Sequence, residues 1–193
     1  FVINQDGVVY YLNTTYSPFA YAQAVVENNS IDTLGKQLTT AAMEYVKAAY
    51  TYTGKTAPAF TGVATTTATA PSTTEAKLPA LIAGAQLSLG ENLKLRFTLA
   101  EGANGNLRVG DANYIVVDGK VGAANYVEVD MRAYAFYNAN IVVSDGTTTG
   151  TYTLAHYVNA IQGNLDAQLV ELVNAFYTYT KYASEYKATG ALN

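Results

Sequence analysis

The sequence predicts an α+β fold, a small antiparallel β-sheet or sandwich packed with helix pairs, containing a partial internal repeat. Three observations carry this. Apolar and polar residues alternate through the middle of the chain, apolar residues recur at three and four near both ends, and the two ends match in order.

Taken in order, Val2-Ile3-Asn4-Gln5-Asp6-Gly7-Val8-Val9-Tyr10-Tyr11-Leu12 reads as two short strands around an Asp-Gly turn. Ser17-Pro18 supplies an N-cap followed by proline at the first helical position, and that helix stops near Asn28-Asn29. A longer helix follows, with Leu34, Leu38, Ala41-Ala42, Tyr45-Val46, Ala49 and Tyr52 on one face and Gly54 to end it. Residues 55–79 are rich in Thr, Ala and Pro and read as a linker, since they hold few large apolar side chains.

From Ala80 the pattern is β. Gln86–Leu89 and Leu93–Leu99 alternate around Gly90-Glu91-Asn92, as half-buried antiparallel strands do. Further strands are expected at Asn106–Val109, Tyr114–Val117 before Asp118-Gly119, Tyr126–Phe136, and Ala139–Val143 before Asp145-Gly146. Thr153 then caps a short helix through Tyr157 and Ile161. A long helix runs from about Asp166 to Tyr186, with Leu169, Leu172-Val173, Phe176, Tyr179 and Ala183 on one face.

The ends correspond in order. Ile3–Gly7 matches Val142–Gly146, Tyr16-Ser17 matches Tyr152-Thr153, and Val46–Thr53 matches Val173–Thr180 through a shared Tyr-Thr-Tyr-Thr. The expected organisation is therefore residues 1–54 as the C-terminal part of a first copy, 55–79 as linker, and 80–193 as a fuller copy. Gly84–Phe97, Tyr152–Tyr157 and the Tyr-rich stretch from Leu172 to Tyr186 resemble a repeated module of large secreted and cell-surface proteins of gut and rumen Firmicutes. The resemblance implies a modular extracellular protein and brings no defined activity with it. Thr180 departs from the pattern, which leads one to expect a small residue such as Gly there.

Only 13% of residues are charged, about half the usual share, so neutral hydroxyls and amides must solvate the surface. A net charge of −4 with scattered Lys and Arg argues against nucleic acid as a partner. Without cysteine there is neither a disulfide framework nor a thiolate metal site. No apolar run is long enough to span a bilayer. The chain opens at Phe1 without Met or a signal peptide, as a mature segment or fragment would.

Three sets of residues could carry chemistry. His156 is the only histidine and has no nucleophile elbow to serve, so it reads as a surface or core-edge residue. Glu101, Asp111, Glu128 and Asp130 are the carboxylates that could pair for glycoside hydrolysis; Glu128 and Asp130 share one strand face, more in keeping with a solvated outer face. Asp111, Asp118 and Asp145 fall in turns, and calcium held there by carbonyls stays open although no EF-hand spacing occurs. No cofactor is called for.

Tyrosine is the stronger lead, because its flat face and polar tip suit sugars and protein surfaces. Tyr45, Tyr52, Tyr157 and Tyr179 fall on buried helix faces, whereas Tyr10, Tyr11, Tyr114, Tyr126, Tyr134 and Tyr137 lie on or beside strands and are the candidate ligand-binding residues. The function expected is a non-catalytic structural or adhesive module at the bacterial cell surface. Its partners are other modules of the same polypeptide and a glycan or protein ligand. The alternatives are a carbohydrate-binding module using exposed tyrosines, and a self-assembling fibre or surface-layer subunit.

Overall fold

Two long helices, each with one apolar face, need a common partner, and in this fold they find it in one another. The computed structural model describes residues 17–89 and 93–191, together with the backbone of 2–5 and 8–11. Strands β1 (Val2–Gln5) and β2 (Val8–Tyr11) pair antiparallel; the Asp6-Gly7 turn lies outside the described residues. Helix α1 (Pro18–Glu27) begins with proline at its first turn, as expected, although the Ser17 side chain makes no capping bond. Helix α2 (Thr33–Tyr52) is capped by Asp32, whose Oδ1 accepts from the Gly35 amide, and Gly54 follows its end with φ of 70°.

The β region folds as two antiparallel sheets. In the first, β3 (Ile82–Leu89), β4 (Leu93–Leu99) and β7 (Tyr126–Asp130) lie in that order. The expected turn at Gly90-Glu91-Asn92 lies outside the described residues. In the second, the order is β6 (Ala112–Val116), β5 (Gly105–Val109), β8 (Ile141–Ser144) and β9 (Thr149–Tyr152). Alternation decides which side chains turn inward. Leu95 and Phe97 do so from the first sheet, and Leu107, Val109, Ile141 and Val143 from the second. Phe97 meets Tyr152 edge-on, ring centres 5.6 Å apart, so the two inner faces share one core.

One expected strand is corrected. Alternation predicts a continuous strand over Tyr126–Phe136, but the strand ends at Asp130 and Ala133–Phe136 forms a single helical turn, α3. Parity explains the break. Even-numbered residues of β7 face outward with Glu128, so a continued strand would have turned Phe136 to solvent. The helical turn instead buries Phe136, 1% exposed, with its ring 5.8 Å from that of Phe176.

Helix α4 (Leu154–Ile161) follows with Thr153 as its cap, and α5 (Ala167–Ala188) with Asp166 as its cap. The order hairpin, short helix, long helix thus occurs twice, as β1-β2-α1-α2 and as β8-β9-α4-α5. The two long helices run antiparallel. Gly35 at the start of α2 sits against Tyr186 near the end of α5, and Tyr45 packs on Phe176 and Tyr179 midway. Thr180 is fully buried in this helix, and its hydroxyl donates to the Tyr177 carbonyl at 2.7 Å. The threonine therefore keeps no unpaired polar atom in the core.

Residues 55–79, which composition marks as a linker, contain no helix or strand and lie as a strap along the helices. Their amides donate to helix side chains: Val63 to Thr40 of α2, and Thr66 and Ala68 to Tyr182 and Thr178 of α5. Asn159 of α4 donates to the Pro71 carbonyl. Small residues make this possible. A Cβ on Gly62 would overlap the Thr40 side chain, and one on Gly150 would strike the Lys77 carbonyl where the strap crosses β9.

Phe176 touches two neighbouring elements and is 0% exposed, so Phe176→Ala should remove about 3–5 kcal/mol of stability. Urea unfolding of the two proteins measures this.

Candidate functional site

The described candidate tyrosines do not assemble into one platform. Tyr114 lies on the inner side of β6, half-buried against the core. Tyr126 begins β7 on the outer face of the first sheet, with the Arg96 guanidinium 3.9 Å from its ring centre. Tyr134 and Tyr137 belong to α3 and its end; Lys187 Nζ lies 5.7 Å from the Tyr134 ring, and Tyr137 tilts against buried Tyr177 at 5.2 Å. The side chains of Tyr10 and Tyr11 lie outside the described residues. Of the helix tyrosines expected to be buried, Tyr45, Tyr157 and Tyr179 pack against the core. Tyr52 is corrected: at the last residue of α2 it is 44% exposed and lines an open groove with Leu87 and Tyr157.

Tyr21, at 63% exposed, is the most open described tyrosine, and sequence reasoning passed over it. It lines a shallow groove of about 490 Å³ with Met43, Arg132, Tyr134 and Tyr179, between α1 and α2 on one side and α3 and α5 on the other.

The outer face of the first sheet carries the carboxylates. Register sets Arg96 opposite Glu128 and Lys94 opposite Asp130. Arg96 donates to Glu128 Oε1 through Nη2 at 2.7 Å and Nε at 3.0 Å, and Lys94 reaches Glu128 Oε2 at 2.9 Å and Asp130 at 3.5 Å. Hydrogen bonds from Lys94 and Arg96 hold the Glu128 carboxyl below the usual glutamate range. A general acid for glycoside hydrolysis needs the reverse shift. The pair is an ion-pair lattice across two strands.

The outer face of the second sheet is built differently. Asn113, Arg108, Ser144 and Thr149 are direct cross-strand neighbours, one from each of β6, β5, β8 and β9. The Ser144 and Thr149 hydroxyls share a hydrogen bond of 2.7 Å. Asp145 closes one end. Its Oδ1 accepts from the Thr147 and Thr148 amides, which hold its carboxyl below the usual aspartate range. These side chains, with Asn106 and Ile115, line an open groove of about 790 Å³. Alternation in Asn106–Val109 places Arg108 outward, but its cross-strand neighbours depend on register, which a sequence does not state.

His156 is occupied structurally. Its Nδ1 accepts from the Thr153 amide at 3.1 Å while its own amide donates to Thr153 Oγ1, forming a capping box with histidine in the place Glu or Gln usually takes. Its ring stacks on Tyr152, centres 5.5 Å apart. Among the described residues no three His, Cys, Asp or Glu side chains gather as a metal site. No described helix is long and apolar enough to cross a membrane. No protein-family model, curated protein or solved structure matches this chain.

Two outcomes follow from these placements. His156→Gln should preserve the reciprocal cap and leave the melting temperature near that of the parent, whereas His156→Ala should cost about 1 kcal/mol by thermal unfolding. Burial raises the phenols of Tyr152 and Tyr177 from 10.0 to about 12, and those of Tyr45 and Tyr179 also upward. A raised acid group favours the folded state fully below its unfolded value, and that stability is lost as pH rises through the folded value. Phenolate absorbance should therefore show a class of tyrosines that ionises only toward 12, together with loss of structure.

Proposed function

We propose that the chain is a non-catalytic structural or adhesive module of a modular bacterial cell-surface protein, with neighbouring modules of the same polypeptide as its nearest partners. The carrying observation is the twofold occurrence of hairpin, short helix and long helix, with the long helix of one set lying along that of the other. Neither set buries its long helix alone. In a longer array of such units, each would cover the apolar helix of the next, and a stiff, continuous core would result.

The side-chain chemistry supports the same reading. Glu128 and Asp130 are committed to Lys94 and Arg96, and His156 to a helix cap. Tyr45, Tyr177 and Tyr179 serve as large rigid packing groups. The low charge and abundant Thr, Asn and Gly suit a surface solvated by neutral groups.

Antibody raised against the purified chain should label intact, unpermeabilised cells of the source organism, and brief protease treatment of those cells should remove the label. Labelling that requires permeabilisation would overturn the cell-surface assignment.

A further inference from the structure

The two sheets treat their outward arginines in opposite ways. Arg96 has a carboxylate directly across from it and an aromatic ring beneath it. Arg108 occupies the corresponding central position of the four-stranded sheet, is exposed, and faces an amide on one side and a hydroxyl on the other. Among the described residues no carboxylate pairs with it. A guanidinium offers a planar fork of donors matched to a carboxylate. Here that fork stands at the middle of a row of hydrogen-bonding side chains.

The surroundings narrow what would complete it. Asp145 lines the same groove as an ionised carboxylate, with one oxygen bound by the Thr147 and Thr148 amides. A small inorganic anion on Arg108 would leave the hydroxyl row and the Asp145 carboxylate without ligand partners. A ligand carrying both a carboxylate and hydroxyl donors would satisfy both ends at once. Asn113 provides an acceptor and donors beside Arg108; Ser144 Oγ accepts from the Gly146 amide as well as sharing its hydrogen bond with Thr149, and the two hydroxyls together still keep acceptor capacity and one hydroxyl hydrogen for a ligand. Ile115, 72% exposed on the same face, supplies an apolar contact for the C–H face of a ring. The groove, about 790 Å³, falls within the roughly 300–1,000 Å³ usual for ligand clefts.

We infer that the outer face of the four-stranded sheet binds a carboxylated sugar of an acidic polysaccharide, with its carboxylate on Arg108 and its hydroxyls on Asn113, Ser144 and Asp145. Ile115 lies under the ring. The inference rests on the adhesive form of the function proposed above and gives it a ligand class. Its failure would leave the structural role, and the surface-labelling test of it, untouched.

The test titrates the whole chain with tetragalacturonate, sialyllactose, maltotetraose and inorganic phosphate, following backbone amide shifts. Saturable shifts at Asn113, Ile115 and Ser144 are expected with a carboxylated sugar and not with phosphate; which of the two acidic sugars binds identifies the residue recognised. Arg108→Gln should weaken that binding by about tenfold or more, and Arg132→Gln, in the separate helical groove, should not. Arg108 is exposed, so both variants should retain the parent far-ultraviolet spectrum, which is checked first. Absence of binding to both acidic sugars, equal binding of maltotetraose, or an Arg108→Gln protein with parent affinity would each overturn the inference.

Discussion

The packing of Tyr45 on Phe176 is the contact on which the rest of the architecture depends. Phe176 is fully buried, 5.4 Å from Tyr45 of α2 and 5.8 Å from Phe136 of α3. It thereby joins the first hairpin–helix–helix set, the turn after β7 and the core beneath the two sheets. The strap then becomes necessary as well as possible. With α2 and α5 side by side, their Thr40, Thr178 and Tyr182 oxygens face the same side and need donors, which the amides of 63–68 supply. Large side chains in that segment would hold its backbone too far away to donate.

The outer surfaces follow a different logic from the core. Both sheets place a basic residue at the centre of the solvent face, but only one supplies its counter-ions. On the three-stranded sheet, Glu128 and Asp130 across from Arg96 and Lys94 satisfy the charge internally and leave a closed lattice. On the four-stranded sheet, the neighbours are amide and hydroxyl groups, and the charge of Arg108 stays available. The same pairing geometry thus yields an inert surface in one place and a receptive one in another. The difference lies in a handful of cross-strand neighbours.

Much of the fold was legible in the sequence because its signals are local. Ser17-Pro18, Thr153, Gly54 and the three-and-four spacing of α2 and α5 mark helices through rules that need no distant partner. The alternation in Leu93–Leu99 marks a strand, and the two-residue spacing of Glu128 and Asp130 puts both on one outer face of theirs. What escaped was tertiary. The break after Asp130 arises because Phe136 is drawn into contact with Phe176, a residue forty positions away in sequence. The strap looked like a linker because hydrogen bonds from backbone to distant helix side chains leave no mark on composition. Tyrosines chosen for their place on strands proved scattered over separate faces. Arg108 gained its setting only from register between four strands.

The central claim is that residues 18–54 and the sheets share one cooperative core. Native-state amide hydrogen exchange tests it most directly, comparing Ala41 and Ala48 of α2 with Leu95 and Phe97 of β4, all buried. A shared core predicts that both sets exchange only through global unfolding, with the same opening free energy. Exchange of the α2 amides through a separate opening of distinctly lower free energy, while the β4 amides stay protected, would contradict the account.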